Sequence, residues 1–222
     1  MHLSILFRHG CKSLAPLRNL AAALCLTAAP VFADQMTVVA LGDSLTQGYG
    51  LPDGAGFVPV LQGWLAENGA DVTIVNAGVS GDTTAGGLAR TDWALVPETD
   101  ALIVNLGGND LLRGLDPAQA RVNLDGILDK ADARGIPVLL LGLRTPANYG
   151  PQYQADFDAI YPALAAEHGA ILLPDYLGPV TDGDRLDRRY MQDDGIHPNA
   201  EGVERLVDAV GPAVLELLGR VD

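Results

Sequence analysis

Cysteine is almost absent from this 222-residue chain. The two present, Cys11 and Cys25, both fall in an N-terminal stretch that reads as a secretory leader. Residues 1–33 carry Arg8, Lys12 and Arg18 with no acidic residue before Asp34. An almost wholly apolar or small run from Leu20 to Ala29 follows, and Val31-Phe32-Ala33 then places small residues at the two cleavage positions. The apolar run is well short of the roughly 20 residues that a spanning helix needs, so export with cleavage is expected rather than a membrane anchor. Lipid attachment at Cys25 is disfavoured by Leu24, because such sites want a small residue there. A mature domain of residues 34–222 would then have no disulfide, no thiolate chemistry and no cysteine-ligated metal. A periplasmic or secreted location is expected.

Positive charge is scarce too: 14 Lys and Arg stand against 28 Asp and Glu. The formal charge of −14 becomes about −17 when the three basic residues of the leader are removed. So acidic a surface repels phosphate backbones and anionic bilayers. Nucleic acid is therefore not an expected partner, and no stable membrane insertion is expected after cleavage. Aromatic residues make up 5 % of the chain, with Trp64 and Trp93 the only tryptophans, a poor supply for stacking on sugar rings. Beyond the leader there are two serines, Ser44 and Ser80, and two histidines, His168 and His197. Any serine chemistry must be assembled from these few residues.

What is present is an alternation of two periodicities. Apolar, β-branched runs occur at Met36–Leu41, Val72–Val75, Ala101–Leu106, Pro137–Leu143 and Ala170–Leu173. Between them Phe57–Glu67, Thr84–Leu95, Pro117–Ala133 and Tyr153–Glu167 carry apolar residues at three- and four-residue spacing, and a last helix is expected over Ala200–Leu218. Near-continuous apolar strands joined by helices predict an α/β fold, a parallel sheet covered on both faces in three layers. Ligands bind such sheets beyond the carboxyl ends of the strands. There the chain places Gly42-Asp43-Ser44, Asn76-Ala77-Gly78-Val79-Ser80-Gly81-Asp82 and Gly107-Gly108-Asn109-Asp110. The aperiodic stretch from Pro174 to Asp194 delivers Asp194-Gly195-Ile196-His197-Pro198-Asn199 just before the last helix.

A serine hydroxyl needs a base within hydrogen-bond reach and a carboxylate to hold that base in the right tautomer. His168 stands at a helix end before Gly169, where a cationic ring can meet the last carbonyls, so a structural role is expected for it. His197 lies in a loop with Asp194 three residues earlier, a spacing that lets one loop supply both base and orienting acid. Ser80 is the rival nucleophile, but in Gly78-Val79-Ser80-Gly81-Asp82 the last glycine of the Gly-x-Ser-x-Gly elbow is missing. The turn is better suited to presenting backbone N–H groups to an anion, so Gly81 and the Asn109 amide are read as oxyanion donors. Asp182, Asp184, Asp187, Asp193 and Asp194 crowd one region, yet they lack calcium-loop spacing and are interleaved with Arg185, Arg188 and Arg189. An ion-paired surface loop is expected there, with no metal and no cofactor.

Four blocks in sequence order resemble the SGNH (GDSL) hydrolase superfamily: Gly42-Asp43-Ser44-Leu45, Gly78-Val79-Ser80-Gly81-Asp82-Thr83, Gly107-Gly108-Asn109-Asp110 and Asp194-Gly195-Ile196-His197-Pro198. Asn76, Gly87-Leu88-Ala89-Arg90, Leu112-Arg113-Gly114, Pro146-Ala147-Asn148-Tyr149-Gly150 and Ala159-Ile160-Tyr161-Pro162 are similar to one branch of it, the periplasmic acyl-CoA thioesterase, lysophospholipase and arylesterase group. The resemblance implies a flavodoxin-like five-stranded parallel sheet and a triad of Ser44, Asp194 and His197. It also implies an oxyanion hole from the Ser44 and Gly81 N–H groups and the Asn109 side chain, and an acyl pocket bordered by Leu111, Leu112, Pro146 and Tyr149. A small-molecule ester or thioester substrate and a monomer are expected. The alternatives are a carbohydrate O-deacetylase on the same fold and a non-catalytic binding protein, for which a nucleophile–base pair would have no use.

Overall fold

The structure, a computed structural model, describes residues 35–221 and the isolated position His2. The leader expected over residues 1–33 lies outside the described residues. Five strands form one sheet: β1 (Met36–Gly42), β2 (Val72–Gly78), β3 (Ala101–Asn105), β4 (Val138–Leu141) and β5 (Ile171–Leu173). Their order is β2-β1-β3-β4-β5 and every pairing is parallel. Val38–Leu41 and all five residues of β3 are buried, as strands sandwiched between helix layers require.

The helices are α1 (Ser44–Gln47), α2 (Phe57–Glu67), α3 (Thr84–Ala94), α4 (Gly108–Leu112), α5 (Pro117–Asp132), α6 (Pro151–Asp158), α7 (Ile160–His168) and α8 (Ala200–Leu218). Helices α2 and α8 pack on each other, whereas α3, α5 and α7 form a second group, so the sheet is the middle of three layers. Side-chain caps set several helix starts: Thr83 accepts from the Gly86 N–H, Asp116 from Ala118 and Asn199 from Gly202. Between β5 and α8, β6 (Thr181–Asp182) and β7 (Arg185–Leu186) pair as a short antiparallel ribbon.

Three elements depart from the sequence expectation. Strand β2 runs on to Gly78 because Asn76, Ala77 and Gly78 pair with Ala40, Leu41 and Gly42 of β1. The single helix expected over Tyr153–Glu167 is two, α6 and α7, meeting at Ala159. Pro162 has no N–H to return to the preceding turn, which interrupts the helical ladder at that point. The ribbon β6–β7 was hidden by its two-residue strands, too short for any periodicity to register.

Helices α2 and α8, which share one outer layer, approach closely enough that a glycine is needed between them. A Cβ at Gly211 in α8 would stand 2.5 Å from carbons of the Trp64 ring on α2. Gly63, in α2 itself, has open space at the same position. Gly63→Ala is expected to raise the unfolding free energy by about 0.5–1 kcal/mol through helix propensity and reduced unfolded-state entropy. Gly211→Ala is expected to lower it by about 1–3 kcal/mol through overpacking. Thermal unfolding of both variants checks the pair, and a loss at Gly63 or a gain at Gly211 would contradict the packing described.

Candidate active site

Strand β1 ends at Gly42, where a side chain cannot fit: a Cβ would lie 2.0 Å from Thr46 Oγ1 and 2.9 Å from the Asn105 carbonyl. The chain turns at once into α1, whose cap is Asp43, accepting from the Leu45 N–H at 3.0 Å. Ser44 is thereby the first residue of a helix that starts directly beyond β1. Arg90 of α3 ties the neighbouring strand ends together, with Nη1 donating to Ala77 O and Nη2 to Gly42 O, each at 2.7 Å. Its Nε donates to Asp82 at 2.6 Å. The strand order reverses direction between β1 and β3, and a crevice at such a point is where open α/β sheets take ligands.

Into this crevice the loop before α8 brings His197. Its Nε2 stands 2.8 Å from Ser44 Oγ and its Nδ1 stands 2.6 Å from Asp194 Oδ2. The other Asp194 oxygen accepts from the backbone N–H groups of Ile196, at 2.9 Å, and His197, at 3.0 Å. These bonds, led by those from the His197 N–H and ring, lower the Asp194 pKa to about 2. An ionised carboxylate can only accept, so the proton between them is assigned to Nδ1, leaving the Nε2 lone pair facing Ser44. The loop is pinned from outside: Gln192 N–H donates to His197 O at 2.8 Å, and its side-chain amide donates to Tyr49 O at 2.8 Å and Pro198 O at 2.9 Å. The Tyr49 ring packs against the imidazole with centroids 4.7 Å apart.

Donors converge beside Ser44. Gly81 adopts φ +83°, a conformation that favours glycine, and its carbonyl accepts from Arg113 Nη2 at 2.7 Å. Among the described residues neither the Gly81 N–H nor the Ser44 N–H has an intramolecular acceptor. The Asn109 amide, first turn of α4, donates to Asp43 Oδ2 at 3.1 Å. Helix α4 is itself anchored by Asp110, which is buried and accepts from the Thr84 N–H at 2.8 Å and hydroxyl at 2.6 Å. Asn123 of α5 completes the network by donating to Thr84 Oγ1 at 2.9 Å. The Ser80 hydroxyl donates to Gln47 Oε1.

A cavity of about 840 Å3 opens over Ser44, and Gly81, Asn109 and His197 line it. Leu111, Leu112 and Pro146 line it, together with Leu143, Leu177, Leu186 and Ile196. Tyr149 does not line it. Its ring stacks on Tyr153, 5.2 Å away, the first step of a ladder through Phe157 to Tyr161. The four-residue spacing of those aromatics was the signal for that stacking role. Leu177 and Leu186 belong to the aperiodic stretch, where no pattern distinguished wall residues from surface ones. Asp43 and Gln192 were given no role of their own: a cap and a loop glutamine are unremarkable until burial and partners are known.

His168 lies elsewhere, and its ring does not meet helix carbonyls as expected. Nδ1 stands 2.6 Å from Asp132 and Nε2 stands 2.9 Å from Asp125, both on α5. Asp125, Glu167 and His168 approach closely enough to hold an ion, yet Glu167 is already paired with Arg121 at 2.6 Å. In the acidic stretch after Pro174, Asp187 caps a short turn and pairs with Arg189, which lowers its pKa.

A serine hydroxyl, an imidazole and a carboxylate thus stand in one hydrogen-bonded line at the carboxyl edge of a parallel sheet. Residues 40–205 match the GDSL-like Lipase/Acylhydrolase family, and the chain belongs to it. The chain is 42 % identical over 210 residues to Esterase TesA of Pseudomonas aeruginosa, covering 94 % of this chain and 96 % of the relative. It is 40 % identical over 174 residues to Thioesterase 1/protease 1/lysophospholipase L1 of Escherichia coli K12, covering 78 % and 80 % respectively. The crystal structure of AlinE4, a SGNH-hydrolase family esterase, superposes with a TM-score of 0.69 at 46 % identity, covering 84 % of this chain and 98 % of that one. The chain is an ester hydrolase of the SGNH fold.

His168 supplies a pH-dependent brace between α5 and α7. Burial pulls its pKa down, but the ring's hydrogen bonds to Asp132 and Asp125 outweigh this and hold it above the ordinary value. A raised folded pKa gives stability that is fully present below the unfolded value near 6.5 and is lost as pH rises through the folded value. His168→Ala is therefore expected to lower the denaturation midpoint more at pH 5.5 than at pH 9, with ester hydrolysis nearly unchanged. Denaturant titrations at the two pH values check this. A deficit that grows with pH, or a loss of turnover as large as that of His197→Ala, would contradict it.

Proposed function

We propose that this esterase cleaves carboxylic esters and thioesters of acyl chains, with Ser44 as nucleophile, His197 as general base and acid, and Asp194 as the residue that orients His197. The single observation that carries the reading is the unbroken chain from Asp194 Oδ2 through the His197 ring to Ser44 Oγ, at 2.6 and 2.8 Å. Ser44 Oγ attacks the substrate carbonyl while His197 Nε2 takes its proton. The imidazolium that forms faces a carboxylate that stays ionised well below neutral pH. Negative charge on the former carbonyl oxygen is met by the N–H groups of Ser44 and Gly81 and the Asn109 amide, each such donor being worth roughly 3 kcal/mol of barrier. His197 then protonates the departing alcohol or thiol. Water, activated by the same ring, releases the acid and restores Ser44.

The apolar side of the cavity supports an acyl chain as the group held, with Leu111, Leu112, Leu143 and Pro146 in contact with it. At about 840 Å3 the cavity has room for far more than an acetyl group. Among the described residues no helix is long and apolar enough to cross a membrane. A monomer released into the periplasm or medium after cleavage behind Ala33 fits the leader, the charge and the absence of cysteine from residues 34–222. The mass of the exported protein checks the cleavage site, and a retained leader would contradict it.

Hydrolysis of p-nitrophenyl esters from acetyl to palmitoyl tests the chemistry. Ser44→Ala and His197→Ala are expected to lower kcat by about 10^4-fold or more at every length, with the fold intact. Wild-type kcat/KM is expected to rise from acetyl to medium chains as the apolar wall fills. Activity that survives Ser44→Ala would overturn the nucleophile, and a strict acetyl preference would overturn the acyl pocket.

A further inference from the structure

Asp43 stands between the proposed nucleophile and the proposed oxyanion site, and the steps above leave it without a part. It is 3 % exposed, yet each of its oxygens has a separate partner. Oδ1 accepts from the Leu45 N–H at 3.0 Å and caps α1. Oδ2 accepts from the Asn109 amide at 3.1 Å. Capping a four-residue helix needs one oxygen and no burial, and it does not account for a carboxyl sealed from solvent. Burial, the largest influence on the group, pushes its pKa up to about 6 against the hydrogen bonds that favour the charged form.

The Asn109 side chain can present either its carbonyl or its NH2 to the space beside Ser44. A half-turn about its last bond exchanges them at little cost in shape. Only the NH2 orientation stabilises a developing oxyanion; the carbonyl orientation repels it. A carboxylate cannot donate, so it accepts from Asn109 only when the NH2 faces it. The amide has no other side-chain partner among the described residues. We propose that Asp43 is a positioning residue: its ionised carboxyl selects the amide orientation of Asn109 and thereby directs the second N–H of that amide at the oxyanion.

This rests on the reading of Ser44 and Asn109 given above and adds a dependence on the charge of Asp43. The titratable groups facing Asp43 are Asp110, His197, Tyr161 and Tyr176, and of these only His197 can carry a positive charge. A protonated Asp43 can donate as well as accept, so it no longer distinguishes the two ends of the amide. The selection is therefore complete above the Asp43 pKa and weakens as pH falls through it.

A double-mutant cycle on p-nitrophenyl ester hydrolysis tests the proposal. Asp43→Asn keeps a capping oxygen and the shape but removes the charge and the one-sided hydrogen bonding. It is expected to lower kcat by more than about tenfold, with KM within about twofold, because the lost interaction belongs to the transition state. In an Asn109→Ala background the same change is expected to cost less than about twofold. Equal losses in both backgrounds would overturn the proposal, since Asp43 would then act through the α1 cap or on Ser44 directly. If Asp43→Asn does not fold, carboxyl 13C titration of the wild type and Asn109→Ala decides instead. The Asp43 pKa is expected to rise when the amide is removed, and an unchanged value would overturn the contact. Ser44→Ala separates the two readings: its inactivity together with an additive cycle sinks Asp43 alone, whereas activity in Ser44→Ala sinks both.

Discussion

Ser44 and His197 are 153 residues apart in the chain and 2.8 Å apart across their hydrogen bond. Most of the local structure described here can be understood as holding that gap constant. On the serine side the constraint is steric: Gly42 leaves room for Thr46 and the β3 carbonyl, so α1 can begin directly where β1 ends. On the histidine side it is a mesh of hydrogen bonds. Gln192 fastens the loop to Tyr49 and Pro198, and the side-chain amide of Asn199 donates to Arg189 O at 2.8 Å before capping α8. With no cysteine in residues 34–222, neither side can be held by a disulfide.

The charges around this contact are graded by environment. Asp194 is ringed by N–H donors and stays ionised to low pH, as suits a group that must face an imidazolium. Asp43 is buried with fewer donors and its pKa is raised to about 6. Two carboxyls near one imidazole thus differ in strength because one is solvated by amides and the other is shielded by the sheet edge and α4. His168 shows the same physics away from the site, where two carboxylates on α5 raise the pKa of a ring that braces two helices.

The parallel sheet was legible because each buried strand is a short apolar run bounded by helical periodicity, and all five appear within a few residues of the expected limits. Strand β2 was read short because Asn76 and Gly78 are not apolar. They join the sheet through pairing with β1, which composition does not report. The break at Ala159 was foreshadowed by Pro162, but a proline in the first turn of a helix is equally common, so its effect depended on the packing of α6 and α7. Ser44 and His197 stood out because serine and histidine are scarce beyond the leader, and the structure brings them to one sheet edge with Gly81, Asn109 and Asp194 beside them. Tyr149 was read as a wall residue, whereas stacking on Tyr153 draws its ring away from the cavity. Asp43 was passed over because the sequence shows a cap and not the burial that makes the cap unusual.

Covalent trapping tests the central claim most directly, because residues 34–222 contain only two serines to compare. The protein would be treated with a fluorophosphonate and the modified peptide identified by mass spectrometry. One phosphonyl group per molecule is expected on Ser44, none on Ser80, and little reaction in His197→Ala. Labelling of Ser80, or undiminished labelling of Ser44 without His197, would contradict the Ser44–His197–Asp194 chain as the working unit of this esterase.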